Sequence, residues 1–409
     1  LIVRLSNAAV VTEVNCKLPK SKSLSNRLIL IHQLVGNLSL VHVSDCDDSE
    51  LLYRALLDES ESLNFNNAGT PYRFALAYFA LTGQKKILDG SSRMRERPID
   101  ELVMALRSLG ANIEYLKTDG FPPVRIIEGV KHGGKIAVDI SKSSQFASAL
   151  MLIAPYLHGG LKIQLTGKES SLSYLKMTYE LIREFGVNAE WSDGDTITIS
   201  EGKYQNLDFP LESDWSAASY FYSILSLSSD GTIVLNGLMK KSLQGDAVLP
   251  KLFLNLGVKT DFVNETLVLK KAERKTDSFH FDLGATPDIV PAVTVALCAI
   301  PGLHKIEGIS KLKYKESDRI QVLKSHLSQL GVEFQIQSDS VTIDTRHFEP
   351  IENFVVETFD DHRMAMSMAC LVKILDKVVV NDAEVVSKSF PNFWEEMAKL
   401  IQVNVQERN

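Results

Sequence analysis

The sequence is poor in cysteine: four stand in 409 residues, at Cys16, Cys46, Cys298 and Cys370, and no two share a CxxC or other metal-ligand spacing. That argues against a zinc centre and suits a reducing, cytoplasmic compartment in which the thiols are core packing. No apolar run reaches the roughly 20 residues that a spanning helix needs. The longest, Ile289 to Leu303, is broken by Pro291 and Pro301. Positive charge is not in excess either. Lys and Arg number 44 against 51 Asp and Glu, a formal net charge of −7, so nothing draws the whole chain to nucleic acid or an anionic membrane. The phosphate loops GxxxxGK[ST] and GxGxxG are both missing, so neither a nucleotide held by those devices nor any metal or other cofactor is expected. No low-complexity linker interrupts the chain.

What is present is a repeat. A helix-like segment ends in an apolar residue, then Gly, then a small apolar residue, then an alternating strand. The copies are ALRSLGANIEY, LIREFGVNAEW, LFLNLGVKTDF and HLSQLGVEFQI, with Gly110, Gly186, Gly257 and Gly331 spaced 71 to 76 residues apart. Glycine just past a helix can take the left-handed conformation that closes the last turn. FWEEMAKLIQVNVQ reads as a further copy without the Gly, and an early copy runs from the helix containing Arg27 into a strand over Leu38–Val43. About six α/β units result. The softest boundary, Asn206 to Asp214, divides them into two sets of three, and the cleft between two such lobes is the default ligand site.

Positive charge is gathered locally. LPKSKSLSNR (Leu18 to Arg27), with Lys17 before it, concentrates Lys17, Lys20, Lys22 and Arg27 with three serines and no carboxylate, at the start of a helical run. Cations, hydroxyls and free N–H groups at a helix start suit a phosphate or carboxylate. NAGTPYRF places Gly69 and Thr70 before a helix. SSRMRERP carries Arg93, Arg95 and Arg97 ahead of Pro98, which can occupy a first helical position. SKSSQF offers Ser143, Ser144 and Gln145, and SLSY offers Ser171 and Tyr174. SDWSAASYF reads as a capped, buried helix with a structural role. In the second half, Asp288 precedes a nearly all-apolar helix, a setting for a shifted carboxyl and acid–base work. KLKYKESDRI mixes Lys311, Lys313, Lys315, Glu316, Asp318 and Arg319. FDDHRMAM carries Asp361, His362 and Arg363, and VSKSFP carries Lys388. Singly, each is also what an ordinary capped helix start or solvated charge run looks like. Together they place polar clusters at helix starts along the whole chain.

The set LPKSKSLSNR, NAGT, RMRERP, SSQF, KYKESDR, DDHRMAM and SKSFP resembles the enolpyruvyl transferases, in order and over essentially the whole chain. The resemblance implies a two-lobed inverse α/β barrel, six βαβαββ-type units in two domains of three. One lobe would comprise residues 1–18 with 214–409, the other 19–213, with the active site in the interlobe cleft and assembled as the lobes close. It implies transfer of the enolpyruvyl group of phosphoenolpyruvate to the 5-hydroxyl of shikimate 3-phosphate, by addition and then elimination of phosphate, in aromatic amino acid biosynthesis. Ser23, Arg27, Ser143, Ser144, Gln145, Ser171, Tyr174, Asp288 and Lys315 would hold shikimate 3-phosphate. Lys22, Gly69, Arg97, Gln145, Arg319, Arg363 and Lys388 would hold phosphoenolpyruvate. Asp288, Glu316 and Lys22 would be catalytic. No nucleic acid or membrane partner is implied, the chain would act as a monomer, and glyphosate would inhibit it from the phosphoenolpyruvate pocket.

Three positions depart from the family pattern: Lys20 where a small residue is common, Phe74 where Pro or Leu is common, and Lys311 where some relatives place Asn. Other readings are an enolpyruvyl transferase acting on UDP-N-acetylglucosamine, an inactive anion-binding protein on the same scaffold, and a nucleotide-dependent phosphotransferase. The first commonly carries a reactive Cys in the loop that is Asp89–Pro98 here, and that loop has none. The second should have lost Asp288, Glu316 or Lys22, and all three are present. The third lacks its phosphate loop.

Overall fold

The computed structural model describes every residue except 9–12, 39–41, 168–171, 264–265, 276 and 408–409. The chain divides into two compact units, a larger one of residues 1–21 with 212–409 and a smaller one of 22–211. One motif builds most of both: strand, helix, strand, helix, then two strands.

In the smaller unit, α1 (Lys22–Val35) and α2 (Asp47–Leu57) come first. The motif then runs through strand Ser62–Asn64, α3 (Gly69–Thr82), strand Ile87–Asp89, α4 (Asp100–Ser108), and strands Asn112–Tyr115 and Val124–Glu128. It repeats through strand Gly134–Asp139, α5 (Gln145–Ile153), strand Leu161–Thr166, α6 (Leu172–Glu184), and strands Ala189–Ser192 and Thr196–Ile199. In each four-stranded sheet the first two strands are parallel, because a helix carries the chain back between them, and the last two add antiparallel. The two helices of a motif differ in pattern. Every residue of α5 after Gln145 is apolar or small and buried, whereas DELVMALRS in α4 turns only Leu102, Val103, Ala105 and Leu106 inward. Accordingly α1, α3 and α5 pack on one another.

The larger unit contains three such sheets. Its helices are α7 (Trp215–Leu227), α8 (Leu249–Asn255), α9 (Val290–Leu297), α10 (Arg319–Leu327), α11 (His362–Ala369) and α12 (Phe393–Met397). The buried helices α7, α9 and α11 pack together at its centre. The N-terminal segment serves two sheets. Strand Ile2–Ser6 lies between Lys377–Asn381 and Gln402–Gln406, with Ile2 opposite both Asn381 and Gln406. Strand Val14–Cys16 pairs parallel with Thr232–Asn236. The smaller unit is thus inserted within one motif of the larger. The two chain crossings meet there: Ser21 N–H donates to the Glu212 carbonyl at 3.0 Å, Asp214 N–H to the Pro19 carbonyl at 2.9 Å, and Lys20 bridges Ser213.

All four repeat glycines follow a helix at positive φ and lead into a strand, from +75° at Gly331 to +96° at Gly110. Gly36, at φ +81°, ends α1 in the same way. The strand expected after it, Leu38–Val43, falls partly on residues 39–41, outside the described residues, and Leu38 and residues 42–43 belong to no strand. Five motifs are therefore complete among the described residues. Pro98 is not a first helical residue, since α4 begins two positions later, after Ile99. Asp214 does cap a buried helix: its carboxylate accepts from Ala217 N–H at 3.0 Å, a contact that typically stabilises by about 1 kcal/mol. The four cysteines are buried and unbridged.

Candidate active site

In the smaller unit the helix starts of α1, α3 and α5 carry the polar clusters. Lys22 is the first residue of α1, buried, and its Nζ lies 3.1 Å from Asp48 Oδ2 in the first turn of α2. Arg27 is 2% exposed. Its guanidinium donates to Thr178 Oγ1 at 2.7 Å, to the carbonyls of Ser23 at 2.7 Å and Tyr174 at 3.1 Å, and to Ser148 Oγ at 3.5 Å. All four acceptors are neutral. The Phe74 ring lies 5.6 Å beneath it, so the unusual phenylalanine packs against Arg27. Burial lowers the Arg27 pKa to about 10, which leaves it charged at neutral pH.

Gly69 opens α3 against two guanidinium groups. A Cβ there would collide with Arg97 Nη2 and meet Arg73 Nη1 at 2.5 Å. Arg97 donates to the Asn67 carbonyl at 2.9 Å, and Arg73 donates to Gln145 Oε1 at 3.0 Å and to the Pro98 carbonyl at 3.0 Å. The Gln145 amide passes this on, donating from Nε2 to Thr70 Oγ1 at 2.8 Å. Ser143 Oγ accepts from Gln145 N–H at 3.2 Å, and Ser144 is the residue just before α5. Tyr174 sits on α6, half-buried. Ser171 lies outside the described residues. Among the described residues, the buried charged side chains of this unit are Lys22, Arg27, Arg73, Lys86, Arg97 and Asp48, five cations against one carboxylate. Lys86 donates to the Asp58 and Ser60 carbonyls, away from these helix starts, whereas Lys22, Arg27, Arg73 and Arg97 stand with the hydroxyls and N–H groups that suit an anion.

The larger unit brings together Asp288, Lys315, Glu316, Arg319 and Arg363. Arg319 is 1% exposed and holds three carboxylates: Asp361 Oδ2 from Nε at 2.9 Å, Asp288 Oδ1 from Nη1 at 3.1 Å and Glu316 Oε2 from Nη2 at 2.9 Å. Asp288 also accepts from Lys315 Nζ at 3.1 Å and Arg363 Nη2 at 2.9 Å. Burial works against the Arg319 charge, but Asp361, Glu316 and Asp288 outweigh it and hold the group above its ordinary pKa. Burial lowers the Lys315 pKa, and Asp288 offsets part of that effect. Lys388 ends the short helical turn Ala383–Lys388, half-buried. Lys311 is buried.

Four residues of these clusters had no site role in the sequence reading. Asp361 is fully buried, caps α11 by accepting from Arg363 N–H at 3.0 Å, and braces Arg319 and Ser317. An Asp directly before a helical His-Arg was its signal. Arg73 had one too, the GTxxR spacing. Tyr220, whose hydroxyl faces Arg363 Nη1 at 3.3 Å, and Asp246, buried and bonded to Ser216 Oγ, had none. Burial, then the charge of Asp288, pushes the Asp246 pKa up to about 7.

Such clusters suit polyanionic substrates with several proton transfers, and the relatives agree. A family model described as EPSP synthase (3-phosphoshikimate 1-carboxyvinyltransferase) matches residues 7–397. The 3-phosphoshikimate 1-carboxyvinyltransferase of Bacteroides fragilis (strain YCH46) is 39% identical over 387 residues, covering 94% of each chain. That of Methanospirillum hungatei JF-1 is 33% identical, covering 95% of this chain and 96% of its own. An EPSP synthase structure from Acinetobacter baumannii superposes with a TM-score of 0.76 at 20% identity, over 99% of this chain and 100% of that one, a likeness of fold. With that match along nearly its whole length, the chain belongs to the EPSP synthase (3-phosphoshikimate 1-carboxyvinyltransferase) family, transferases of the shikimate pathway.

Proposed function

We propose that the chain moves the enolpyruvyl group of phosphoenolpyruvate to the 5-hydroxyl of shikimate 3-phosphate through the residues described above. The observation that carries this reading is the grouping of the buried cations Lys22, Arg27, Arg73 and Arg97 with hydroxyls and helix starts in the smaller unit. Ser23, Arg27, Ser143, Ser144, Gln145, Ser171, Tyr174 and Lys315 take shikimate 3-phosphate. Lys22, Gly69, Arg97, Gln145, Arg319, Arg363 and Lys388 take phosphoenolpyruvate, the arginines through forked contacts to carboxylate and phosphate.

Asp288 accepts the 5-hydroxyl proton as that oxygen bonds to C2 of phosphoenolpyruvate, and Glu316, aided by Lys22, delivers a proton to C3. The methyl group of the tetrahedral adduct then returns a proton, the C–O bond to phosphate breaks, and the double bond re-forms. Lys315, Arg319 and Arg363 hold the Asp288 carboxylate in place for that transfer, at 3.1, 3.1 and 2.9 Å. Glyphosate competes for the phosphoenolpyruvate groups.

The test is phosphate release by purified protein given both substrates; a folded protein that releases none would end this reading. Glu316→Gln keeps a hydrogen-bond acceptor for Arg319 but cannot exchange the proton. Turnover is expected to fall by about 100-fold or more with both substrates still bound, and near-normal turnover would reject the role.

A further inference from the structure

Helices α7, α9 and α11 run from the cluster described above, with Asp288 just before α9, Arg363 in the first turn of α11 and Tyr220 of α7 against Arg363. A cavity of about 590 Å³ lies at the other ends of the same helices. Leu227 closes α7, Cys298 and Ala299 follow α9, and Lys373 and Ile374 follow α11. Its size is that of a ligand pocket. Its walls are mixed: Ile224, Leu227, Ile233, Phe348, Ile374 and Leu400 supply the apolar part, and polar side chains line the rest.

Each of the three motifs adds one cation. Arg274 stands three residues beyond strand Thr266–Lys271, and Arg346 two beyond strand Ser340–Asp344, at matching places in their motifs. In the third motif the matching place is Asn7, after strand Ile2–Ser6, and its Oδ1 accepts from Lys373 Nζ at 3.2 Å. Arg346 is neutralised by Asp344, at 2.6 Å. Among the described residues no carboxylate pairs with the other two. Arg274 donates to the Ala299 carbonyl at 2.8 Å, and Lys373 to the Leu400 carbonyl at 3.2 Å as well as to Asn7, all neutral oxygens. Capping helix and loop carbonyls accounts for one N–H of Arg274, and a guanidinium has five. Among the described residues Asp230 is the carboxylate on the wall. Burial also lowers the Lys373 pKa, a penalty that an anion would relieve.

We infer that this cavity is a second binding site, for a small amphipathic anion: an apolar body against Ile233, Phe348 and Ile374, and a carboxylate or phosphate on Arg274 and Lys373. The site is independent of the reaction proposed above.

The fluorescent probe 1-anilinonaphthalene-8-sulfonate has this chemistry. It should bind the full-length protein saturably, one per chain. Excess phosphoenolpyruvate with shikimate 3-phosphate should not displace it. Competition by 4-phenylbutyrate and by phenyl phosphate distinguishes carboxylate from phosphate ligands, and the neutral 4-phenylbutanol should compete at least about tenfold less well than the better of them. Arg274→Gln with Lys373→Gln should weaken the probe about tenfold or more while phosphate release stays unchanged. No saturable binding at millimolar ligand, displacement by the substrate pair, or unaltered affinity in the double variant would each overturn the site. Should the double variant not fold, the exposed Arg274→Gln alone decides: about threefold weaker binding supports the site and no change overturns it.

Discussion

Gly69 leaves no room for a side chain because two buried guanidinium groups close on it. Each is tethered, Arg97 to the Asn67 carbonyl and Arg73 to Gln145 and the Pro98 carbonyl, so neither can swing away freely. Gly69→Ala must therefore shift Arg97, and a misplaced binding group is costly in the transition state. We expect kcat/KM for phosphoenolpyruvate to fall about tenfold to 100-fold, with weaker glyphosate inhibition and an unchanged KM for shikimate 3-phosphate. Steady-state kinetics with each substrate varied would show it, and equal losses for both would contradict it. Asp246 offers a test by pH. Its carboxyl is raised to about 7 by burial and by Asp288, whereas in the unfolded chain it titrates near 4. Between those values the folded state holds the extra proton, so stability falls as pH rises through the window and the loss is complete above it. Asp246→Asn keeps an acceptor for Ser216 Oγ and cannot ionise. It should match the parent near pH 4 and exceed it at pH 8, by up to about 4 kcal/mol. Urea unfolding at the two pH values measures the difference, and an equal effect at both would remove the claim.

The helix–glycine–strand element was legible because it rests on local chemistry: only glycine takes the left-handed turn without cost, so an apolar residue and Gly followed by an alternating strand mark it. The copies are not equally constrained. At Gly331, φ +75°, a Cβ would press into the backbone carbonyl of His347, which cannot move alone. At Gly110 it would meet Lys131 much less closely, Cβ at 2.9 Å, Cγ at 3.1 Å and the backbone N at 3.3 Å. Both alanine variants bear the left-handed cost of about 1–2 kcal/mol. Gly331→Ala should lose at least about 1 kcal/mol more, read as the shift in denaturation midpoint. The site was legible to the extent that its groups are adjacent in sequence, as in SKSLSNR and KESDR. Asp246 and Tyr220 join Asp288 and Arg363 only because α7, α9 and α11 pack together, and no spacing in the sequence announces that. Asp361 lay in a motif already singled out, yet its bond to Arg319 depends on two separate helices meeting. The first strand's place between Lys377–Asn381 and Gln402–Gln406 is likewise a long-range pairing that hydrophobic pattern cannot assign.

At the scale of the whole chain, residues 22–211 are an insertion in a fold that closes without them. The larger unit takes its first two strands from residues before the insertion, and strand Val14–Cys16 pairs with Thr232–Asn236 beyond it. Where the chain leaves and returns, Ser21 and Glu212 share a hydrogen bond, and Pro19 and Asp214 share another. The excised ends are therefore already held together, and a short glycine-serine linker from Ser21 to Glu212 closes them at little entropic cost. The core of this unit, from Val3 through Trp215 and Met364 to Ile401, lies wholly within its own residues. The chain with residues 22–211 replaced by such a linker should fold cooperatively, with dispersed amide resonances and a single denaturation transition. It should release no phosphate, because Lys22, Arg27 and Arg97 have gone with the insertion. A molten product would show instead that the larger unit depends on the insertion for its packing. That would falsify the reading of a domain placed into a finished scaffold, whereas a folded, inactive product would assign the reaction to both units acting together.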